Sequence, residues 1–321
     1  MQASSFAGTG PVFVVLNPVA GHNNPASTRQ VLEQHFATLA WPLEFYETTG
    51  QDQLAEIVRA AVQRGARLCL AAGGDGTVSA VAAGLIGTDV PLGILPLGTG
   101  NVLARELNLP LSLESALHLI TGAHQIRHLD AMRAWGRIFL LNVSTGISAL
   151  AMGDMRPAEK RRFGRLAYVW KGLRRILGAQ PYRFTITIDG HPLRARASEV
   201  AIPNASTMGL APLSWGDHIN VDDGHVDVCI IRARNPVDYA RLAWRAVLHQ
   251  QRRDPAFRSI VAQRSIVIAA QNQIPVQGDG EVIGQTPVHI EVLPRAVSVI
   301  APARAPAATL PIIGLLRRPR L

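Results

Sequence analysis

The chain has 321 residues, of which 48% are hydrophobic and 17% are charged. This composition excludes an intrinsically disordered protein and leaves enough length for two domains with buried cores. The formal net charge of +9 favours anionic partners, a class that includes nucleic acids, phosphate-bearing ligands and acidic membrane surfaces.

The cysteines and the termini indicate the compartment. Cys69 and Cys229 both lie in strand-like apolar runs, so we predict buried thiols in the reducing cytoplasm and no disulfide. The first ten residues, MQASSFAGTG, lack the basic and apolar blocks of a signal peptide. The apolar stretch 297–316 contains Arg304 and three prolines, so we expect no membrane span there.

Strand and helix patterns alternate between residues 11 and 132 at the spacing of βαβ units. Such a pattern predicts a doubly wound α/β domain, whose ligands bind beyond the carboxyl ends of the parallel strands. The predicted strands are 12–16, 43–46, 67–72 and 90–95, and the predicted helices are 26–39, 52–64, 78–86 and 112–121.

The pattern changes near Asp130, and strands then dominate residues 133–295. We predict an antiparallel, β-sandwich-like second domain over this range, with an Asp189-Gly190 hairpin turn. Residues 296–308 are expected to complete the first domain, and residues 309–321 form an apolar and basic tail. The predicted strands are 138–143, 183–188, 199–202, 226–231, 265–269 and 289–293.

Three glycine turns follow predicted strands of the first domain: 17–21 (NPVAG), 73–77 (GGDGT) and 98–101 (GTGN). None has the Lys-Ser/Thr pair of a P-loop or the G-x-G-x-x-G dinucleotide fingerprint. Backbone N–H groups in such turns converge on phosphate oxygens all the same. Asp75 adds a carboxylate that can hold Mg²⁺ directly or through water. The sequence therefore predicts a site for a phosphate-bearing ligand at this edge of the sheet.

These residues resemble the diacylglycerol kinase and sphingosine kinase superfamily. LAAGGDGT is similar to its catalytic loop, LNPVAG to its first nucleotide loop, and ILPLGTGNVLARELNLP to its third motif. RFGRLAYVWKGLRRI, VDDGHVDVCII and VQGDGE resemble later motifs, in family order, so that the resemblance spans roughly residues 16–293.

The resemblance implies an ATP- and Mg²⁺-dependent lipid kinase that phosphorylates a hydroxyl of a diacylglycerol-like or long-chain-base lipid. It also implies that ATP is contacted by residues of the glycine turns, by the two residues that follow GGDGT and by one further threonine. These residues are Asn17, Pro18, Val19, Ala20, Gly21, Thr48, Gly73, Gly74, Asp75, Gly76, Thr77, Val78, Ser79 and Thr99.

The resemblance further assigns the catalytic groups. Glu281 would be the general base for the lipid hydroxyl, and Asp75 would hold the catalytic Mg²⁺. The plainer interpretation of GDGE is a hairpin tip with solvated acids. The chain departs from many relatives in having Ser79-Ala80 in place of Asn-Glu, and Val102 in place of Asp.

A second, structural Mg²⁺ is implied in the Asp-Gly loop of the β domain. The resemblance places it on the Asp223 side chain and the backbone carbonyls of Asn220 and His225, with Asp130 in the same charge network. Asp-Gly turns are common in β proteins, so Asp223 capping its own turn is the alternative.

Basic residues flank an apolar stripe at helical spacing between residues 160 and 177. A basic amphipathic helix is typical of binding at a membrane surface, and the tail IIGLLRRPRL repeats the combination. We therefore expect peripheral attachment to the anionic inner face of the membrane. The alternative is a stripe that packs on the β domain. The stripe consists of Phe163, Leu166, Trp170, Leu173 and Leu177.

Three other functions compete with a lipid kinase. An NAD-kinase-type enzyme shares the GGDGT turn, and a non-catalytic lipid- or nucleotide-binding regulator would have the same fold. A nucleic-acid partner is not expected, because the sequence has no basic-aromatic RNA motif or recognition helix. The expected partners are ATP, the lipid substrate, the membrane surface and a second copy of the chain in a homodimer.

Overall fold

The computed structural model describes residues 10–21, 24–154, 181–208 and 213–303. The first domain is built on four parallel, neighbouring strands in the order β2-β1-β3-β4. Three of them are buried along their whole length, which their apolar sequences favour. The strands are β1 (Val12–Leu16), β2 (Leu43–Glu47), β3 (Leu68–Gly73) and β4 (Leu92–Pro96).

Helices connect these strands, and the four predicted ones are confirmed. α1 (Pro25–Ala37) is capped by the Asn24 side chain, α2 spans Leu54–Gln63, and α5 (Leu113–Thr121) is capped by Ser112. α3 (Asp75–Leu85) begins three residues before its predicted start, because Gly74 is the N-cap and an aspartate suits the first helical turn. The sequence analysis missed the five-residue helix α4 (Val102–Glu106).

A long strand near the end of the chain joins the two halves of the molecule. β16 (Val288–Ala301) pairs in parallel with β4 through Val299 and Leu92. It also pairs antiparallel with β13 (Ser265–Ala270) and with β5 (Gln125–Ala134). The result is one ten-stranded sheet in the order β2-β1-β3-β4-β16-β13-β8-β9, in which β8 spans Tyr182–Ile188 and β9 spans His191–Ala197. β5 lies beside β16, and β6 (Arg137–Phe139) pairs with β5.

The second sheet is antiparallel and six-stranded, in the order β12-β11-β10-β7-β14-β15. Its buried side chains pack against those of β8, β13 and the first half of β16 in a common core. The α/β domain followed by an antiparallel, sandwich-like domain is thus confirmed. The strands are β7 (Asn142–Gly146), β10 (Glu199–Pro203), β11 (Val226–Ile231), β12 (Phe257–Ala262), β14 (Pro275–Gly278) and β15 (Glu281–Gln285).

The β8 (Tyr182–Ile188) and β9 (His191–Ala197) hairpin has the predicted Asp189-Gly190 turn, with positive φ at both residues. The prediction of one strand at 138–143 is wrong. The segment forms β6 (Arg137–Phe139) and β7, because the N–H groups of Leu140 and Leu141 are bound by the Asp279 carboxylate. Two helices were also missed, α6 (Ile147–Gly153) and α7 (Pro236–Val247).

Both cysteines are buried free thiols, as predicted, and burial raises the pKa of Cys69 to about 12. Across the ranges that the structure describes, every helix is too short or too polar to cross a bilayer. The predicted amphipathic segment at 160–177 and the tail at 309–321 lie outside the described residues.

Candidate functional site

The three glycine turns meet at the carboxyl edge of the parallel sheet. The Asn17 N–H donates to the carbonyl of Ala72 at 2.9 Å, and the Asn17 side-chain amide donates to the Thr77 hydroxyl at 3.1 Å. The Leu97 N–H donates to the carbonyl of Gly73 at 3.0 Å. Backbone bonds between neighbouring strand ends therefore hold the turns side by side.

Two glycines are required where these turns touch. A Cβ on Gly98 would lie 2.5 Å from the Cα atom of Gly74, so that the second and third turns are in backbone contact. Gly21 has a φ of +66°, and a Cβ there would lie 2.1 Å from the carbonyl oxygen of Leu97. Larger residues would push the turns apart.

A cleft of about 460 Å³ lies between this edge and the β domain. Six of the predicted site residues line it: Asn17, Thr48, Gly76, Thr77, Ser79 and Glu281. The other predicted ATP contacts lie in the same turns or in the first turn of α3, outside the lining. They are Pro18, Val19, Ala20, Gly21, Gly73, Gly74, Asp75, Val78 and Thr99.

Asp75 is the first residue of α3 and is half-buried. One of its carboxylate oxygens accepts the N–H of Leu103 in α4 at 3.1 Å. This contact ties the GGDGT turn to the helix that the sequence analysis missed. Its neighbours Gly76 and Thr77 line the cleft, whereas Asp75 itself is outside the lining.

Glu281 is the first residue of β15 and lies across the cleft from α3. Its carboxylate lies 3.2 Å from the guanidinium of Arg137 on β6, and both side chains are more than half exposed. Arg137 also lines the cleft and was missed by the sequence analysis. Its spacing of 144 residues from Glu281 gives no local sequence signal that would pair them.

Asp279 holds the turn that precedes Glu281. It has a φ of +47°, and its carboxylate accepts the N–H groups of Leu140, Leu141 and Asn142, each at 3.0 Å. It also accepts the Ser79 hydroxyl at 2.7 Å. Burial raises the pKa of Asp279, and these four donors act in the opposite direction by favouring the ionised form. The sequence analysis assigned Asp279 no role.

Asp52 is a second carboxylate of the cleft that the sequence analysis missed. It accepts the Thr49 hydroxyl at 2.8 Å, the Thr49 N–H at 2.6 Å and the Tyr46 hydroxyl at 2.9 Å. Hydrogen bonds from Thr49 lower the pKa of Asp52 and keep it ionised. The Thr49-x-x-Asp52 spacing just before α2 is a local signal that could have found it.

The predicted structural metal residues lie together, away from the cleft lining. The Asp223 carboxylate accepts the His225 N–H at 3.3 Å and lies 3.3 Å from the His225 ring. Buried Asp130 accepts the N–H groups of Gly224 and Arg295, each at 2.7 Å. Asp130 thus belongs to this loop's hydrogen-bond network. Burial raises the pKa of Asp130, and the charges of Asp222 and Asp223 raise it further.

The donors present differ between the two predicted metal sites. The first residues of α3 carry oxygen donors of the kind that Mg²⁺ prefers, namely the Asp75 carboxylate and the hydroxyls of Thr77 and Ser79. Among the described residues, no group of three or more His, Cys, Asp or Glu side chains is arranged to hold a metal. A metal in the Asp223 loop would therefore depend on one carboxylate and on backbone carbonyls, including that of Asn220.

The structure thus joins a parallel α/β domain with glycine turns to a sandwich-like β domain that places acidic residues at a shared cleft. The diacylglycerol kinase catalytic domain family matches residues 11–134, and the YegS C-terminal NAD kinase beta sandwich-like domain family matches residues 141–301. The chain belongs to the diacylglycerol kinase family, in its two-domain form with a YegS-type C-terminal domain.

Named relatives agree with this assignment. The chain is 27% identical to a diacylglycerol kinase of Bacillus subtilis over 87% of its length and 94% of the relative. It is 29% identical to the protein named "Probable lipid kinase YegS" of Shigella boydii, over 78% of this chain and 84% of that one. The crystal structure of a diacylglycerol kinase from Bacillus anthracis has the same fold, with a TM-score of 0.75 and 24% identity over 91% of this chain and 96% of that one.

Proposed function

We propose that this protein is an ATP- and Mg²⁺-dependent lipid kinase that phosphorylates a hydroxyl group of a diacylglycerol-like or long-chain-base lipid. The observation that carries the proposal is the cleft, in which Thr77 and Ser79 of the GGDGT segment lie across from Glu281 of the β domain. Phosphoryl transfer needs a bound polyphosphate and a base for the acceptor hydroxyl on opposite sides of one cavity.

The α3 side of the cleft would bind the triphosphate. Its hydroxyls, its amide and the first N–H groups of α3 are donors suited to phosphate oxygens, and the N-terminus of a helix favours anions. A Mg²⁺ held by Asp75 would neutralise phosphate charge and orient the transferred group. The donors that line the cleft on this side are Asn17, Thr48 and Thr77.

Glu281 would accept the proton of the lipid hydroxyl as that oxygen bonds to the γ-phosphorus of ATP. The bond between the γ-phosphorus and the β–γ bridging oxygen breaks, and its electron pair stays on ADP. The products are the lipid phosphate monoester, ADP and a proton, which Glu281 then releases to water. Asp279 keeps this carboxylate in place by fixing the turn before it.

The two domains would divide the substrates between them. Residues 11–132, completed by 296–308, would bind ATP, and residues 133–295 would bind the lipid. A lipid acceptor lies in a bilayer, so the protein would attach peripherally to the inner face of the membrane. The net charge of +9 supports attraction to an anionic surface.

A soluble-substrate kinase of the NAD-kinase type is the second candidate. One observation favours it: the family that matches residues 141–301 is described as NAD kinase beta sandwich-like. The match of residues 11–134 to the diacylglycerol kinase catalytic domain favours the lipid kinase instead.

One experiment separates the candidates. The protein is incubated with ATP labelled at the γ-phosphate and, separately, with diacylglycerol or a long-chain base in mixed micelles, or with NAD in solution. A labelled lipid phosphate is expected. Labelled NADP would support the second candidate, and no labelled product would support a non-catalytic binder.

A further inference from the structure

The charged side chains that line the cleft are mostly acidic. Three carboxylates line it, those of Asp52, Asp279 and Glu281, and among the described residues Arg137 is the single lining side chain that carries a fixed positive charge. The glycine turns contain no lysine, since the chain's two lysines are Lys160 and Lys171. Among the described residues of the lining, Arg137 is the one side chain that can place a fixed positive charge beside a bound polyphosphate.

Glu281 differs from the other two carboxylates in its partners. Asp52 is satisfied by Tyr46 and Thr49, and Asp279 by backbone N–H groups and Ser79. Glu281 instead lies 3.2 Å from the Arg137 guanidinium, in an ion pair that is half exposed on both sides. Exposed ion pairs of this kind are weak and exchange readily.

Arg137 is held at this position by the backbone around it. It follows the two-residue turn Trp135-Gly136, in which both residues have positive φ, and Ala134 pairs with it across the turn. The Trp135 ring packs against Gly284 of β15, where a Cβ would lie 2.9 Å from the ring. The β5–β6 hairpin is therefore fixed to the strand that begins with Glu281.

We propose that Arg137 binds the γ-phosphate of ATP, and that this binding withdraws the guanidinium from Glu281 and frees the carboxylate. The inference rests on the proposed function, because it requires ATP in this cleft. A guanidinium binds phosphate with two parallel N–H bonds, and the greater charge of a terminal phosphate favours it over one carboxylate. ADP lacks that phosphate, so Arg137 stays paired with Glu281 when ADP is bound.

The test is equilibrium binding of Mg²⁺-ATP and Mg²⁺-ADP to the full chain by calorimetry. Arg137→Gln is expected to weaken ATP binding about tenfold or more, as for loss of a charged hydrogen bond, and to leave ADP binding within about twofold. Arg137→Lys keeps the positive charge but lacks the planar guanidinium that makes two parallel N–H bonds, so it should give an intermediate ATP affinity. Glu281→Gln should bind ATP as tightly as the wild type or more tightly, because no ion pair has to be broken.

Arg133→Gln is the matched control. Arg133 is on β5, similarly exposed, and lies 2.9 Å from Glu291 in another half-exposed ion pair, away from the cleft lining. Arg133→Gln should change neither the affinity for ATP nor the affinity for ADP. Thermal unfolding of each variant shows that the fold is kept.

Equal effects of Arg137→Gln on ATP and ADP, or no effect on either, would overturn the inference. A wild type that binds both nucleotides but labels no acceptor would contradict the proposed lipid kinase, while the ATP-to-ADP comparison would still decide the role of Arg137. A wild type that binds neither nucleotide would overturn both.

Discussion

Ser79 on α3 donates a 2.7 Å hydrogen bond to Asp279, which lies 200 residues later in the turn between β14 and β15. The bond connects the GGDGT helix of the first domain to the residue that precedes Gly280 and Glu281. The two sides of the cleft are thus joined by a direct contact.

Removing this contact should reduce catalysis more than stability. We expect Ser79→Ala to lower the free energy of unfolding by about 1 kcal/mol, the usual contribution of one hydrogen bond. Phosphoryl transfer should fall several-fold, because the Glu281 turn is less firmly held against α3. Thr88→Ala is the control, since the Thr88 hydroxyl donates to Leu85 near the other end of α3 and does not reach the β domain.

Asp279→Asn should be more damaging. Three backbone N–H groups would face a side chain with one acceptor oxygen, and unsatisfied buried donors cost about 1–3 kcal/mol. Urea unfolding of Asp279→Asn and Ser79→Ala in parallel measures both losses. Equal stability of Asp279→Asn and the wild type would show that this carboxylate does not hold the turn.

Asp75→Asn tests the proposed metal at the start of α3. The amide oxygen of asparagine can still accept the Leu103 N–H, so the melting temperature should be unchanged. Turnover should fall by about two orders of magnitude or more, because a bound metal contributes several kcal/mol to phosphoryl transfer. Asp89→Asn, which changes an exposed carboxylate in the loop after α3, is the control. Turnover near that of the wild type would exclude the role of Asp75.

Glu199 makes the stability depend on pH. It is buried at the start of β10, where it accepts the Ser148 N–H at 2.9 Å and the Ser148 hydroxyl, and burial raises its pKa from 4.5 to about 7. Between these two values the folded chain binds more protons than the unfolded chain. The free energy of unfolding therefore falls as pH rises through this interval, by about 3 kcal/mol at most.

Glu199→Gln should remove this component. Relative to the wild type, the variant should gain about 2–3 kcal/mol in unfolding free energy between pH 5 and pH 8, measured by urea unfolding. Glu114→Gln, an exposed glutamate in the first turn of α5, should show no such gain. A pH-independent difference between Glu199→Gln and the wild type would mean that Glu199 is ionised throughout.

The Asp223 loop gives a prediction about a structural cation. If Asp223 holds one, EDTA should lower the melting temperature of the wild type. Asp223→Ala should have this lowered melting temperature both with and without EDTA. A cation present at about a hundred times its Kd stabilises the native state by about 2.7 kcal/mol. Asp217→Asn, an exposed carboxylate of the preceding segment that pairs with His249, is the control. A wild type insensitive to EDTA and to Mg²⁺ would leave Asp223 as a turn cap.

Local sequence signals predicted much of the fold. Buried apolar runs identified β1 to β4, Ser112 identified the start of α5, and Asp189-Gly190 identified the β8–β9 turn. The signal for each of these elements lies within the element or at its ends. α7 carried a local signal as well, with Asn235 as cap and Pro236 at its first position, but it lay in a region interpreted as strands.

The contacts that complete the cleft depend on distant residues and could not be predicted in this way. Asp279 binds N–H groups more than 130 residues away, and this contact divides 138–143 into two strands. Arg137 meets Glu281 only because β6 and β15 come together beside the cleft. The glycine turns were identified from their composition and their position after buried strands, and Glu281 through motif resemblance, whereas the groups that position them required the fold.

Transfer of labelled phosphate by Glu281→Gln is the most direct test of lipid phosphorylation in this cleft. Each variant is incubated with Mg²⁺ and γ-labelled ATP, together with the lipid that the wild type phosphorylates. Glu281→Gln should lower the rate by about 10²–10⁴-fold, the usual contribution of a general base. Glu291→Gln, which changes the similarly exposed partner of Arg133, should match the wild type. Equal rates for Glu281→Gln and Glu291→Gln, or no labelled lipid from the wild type, would contradict the proposal that this cleft is the site of lipid phosphorylation.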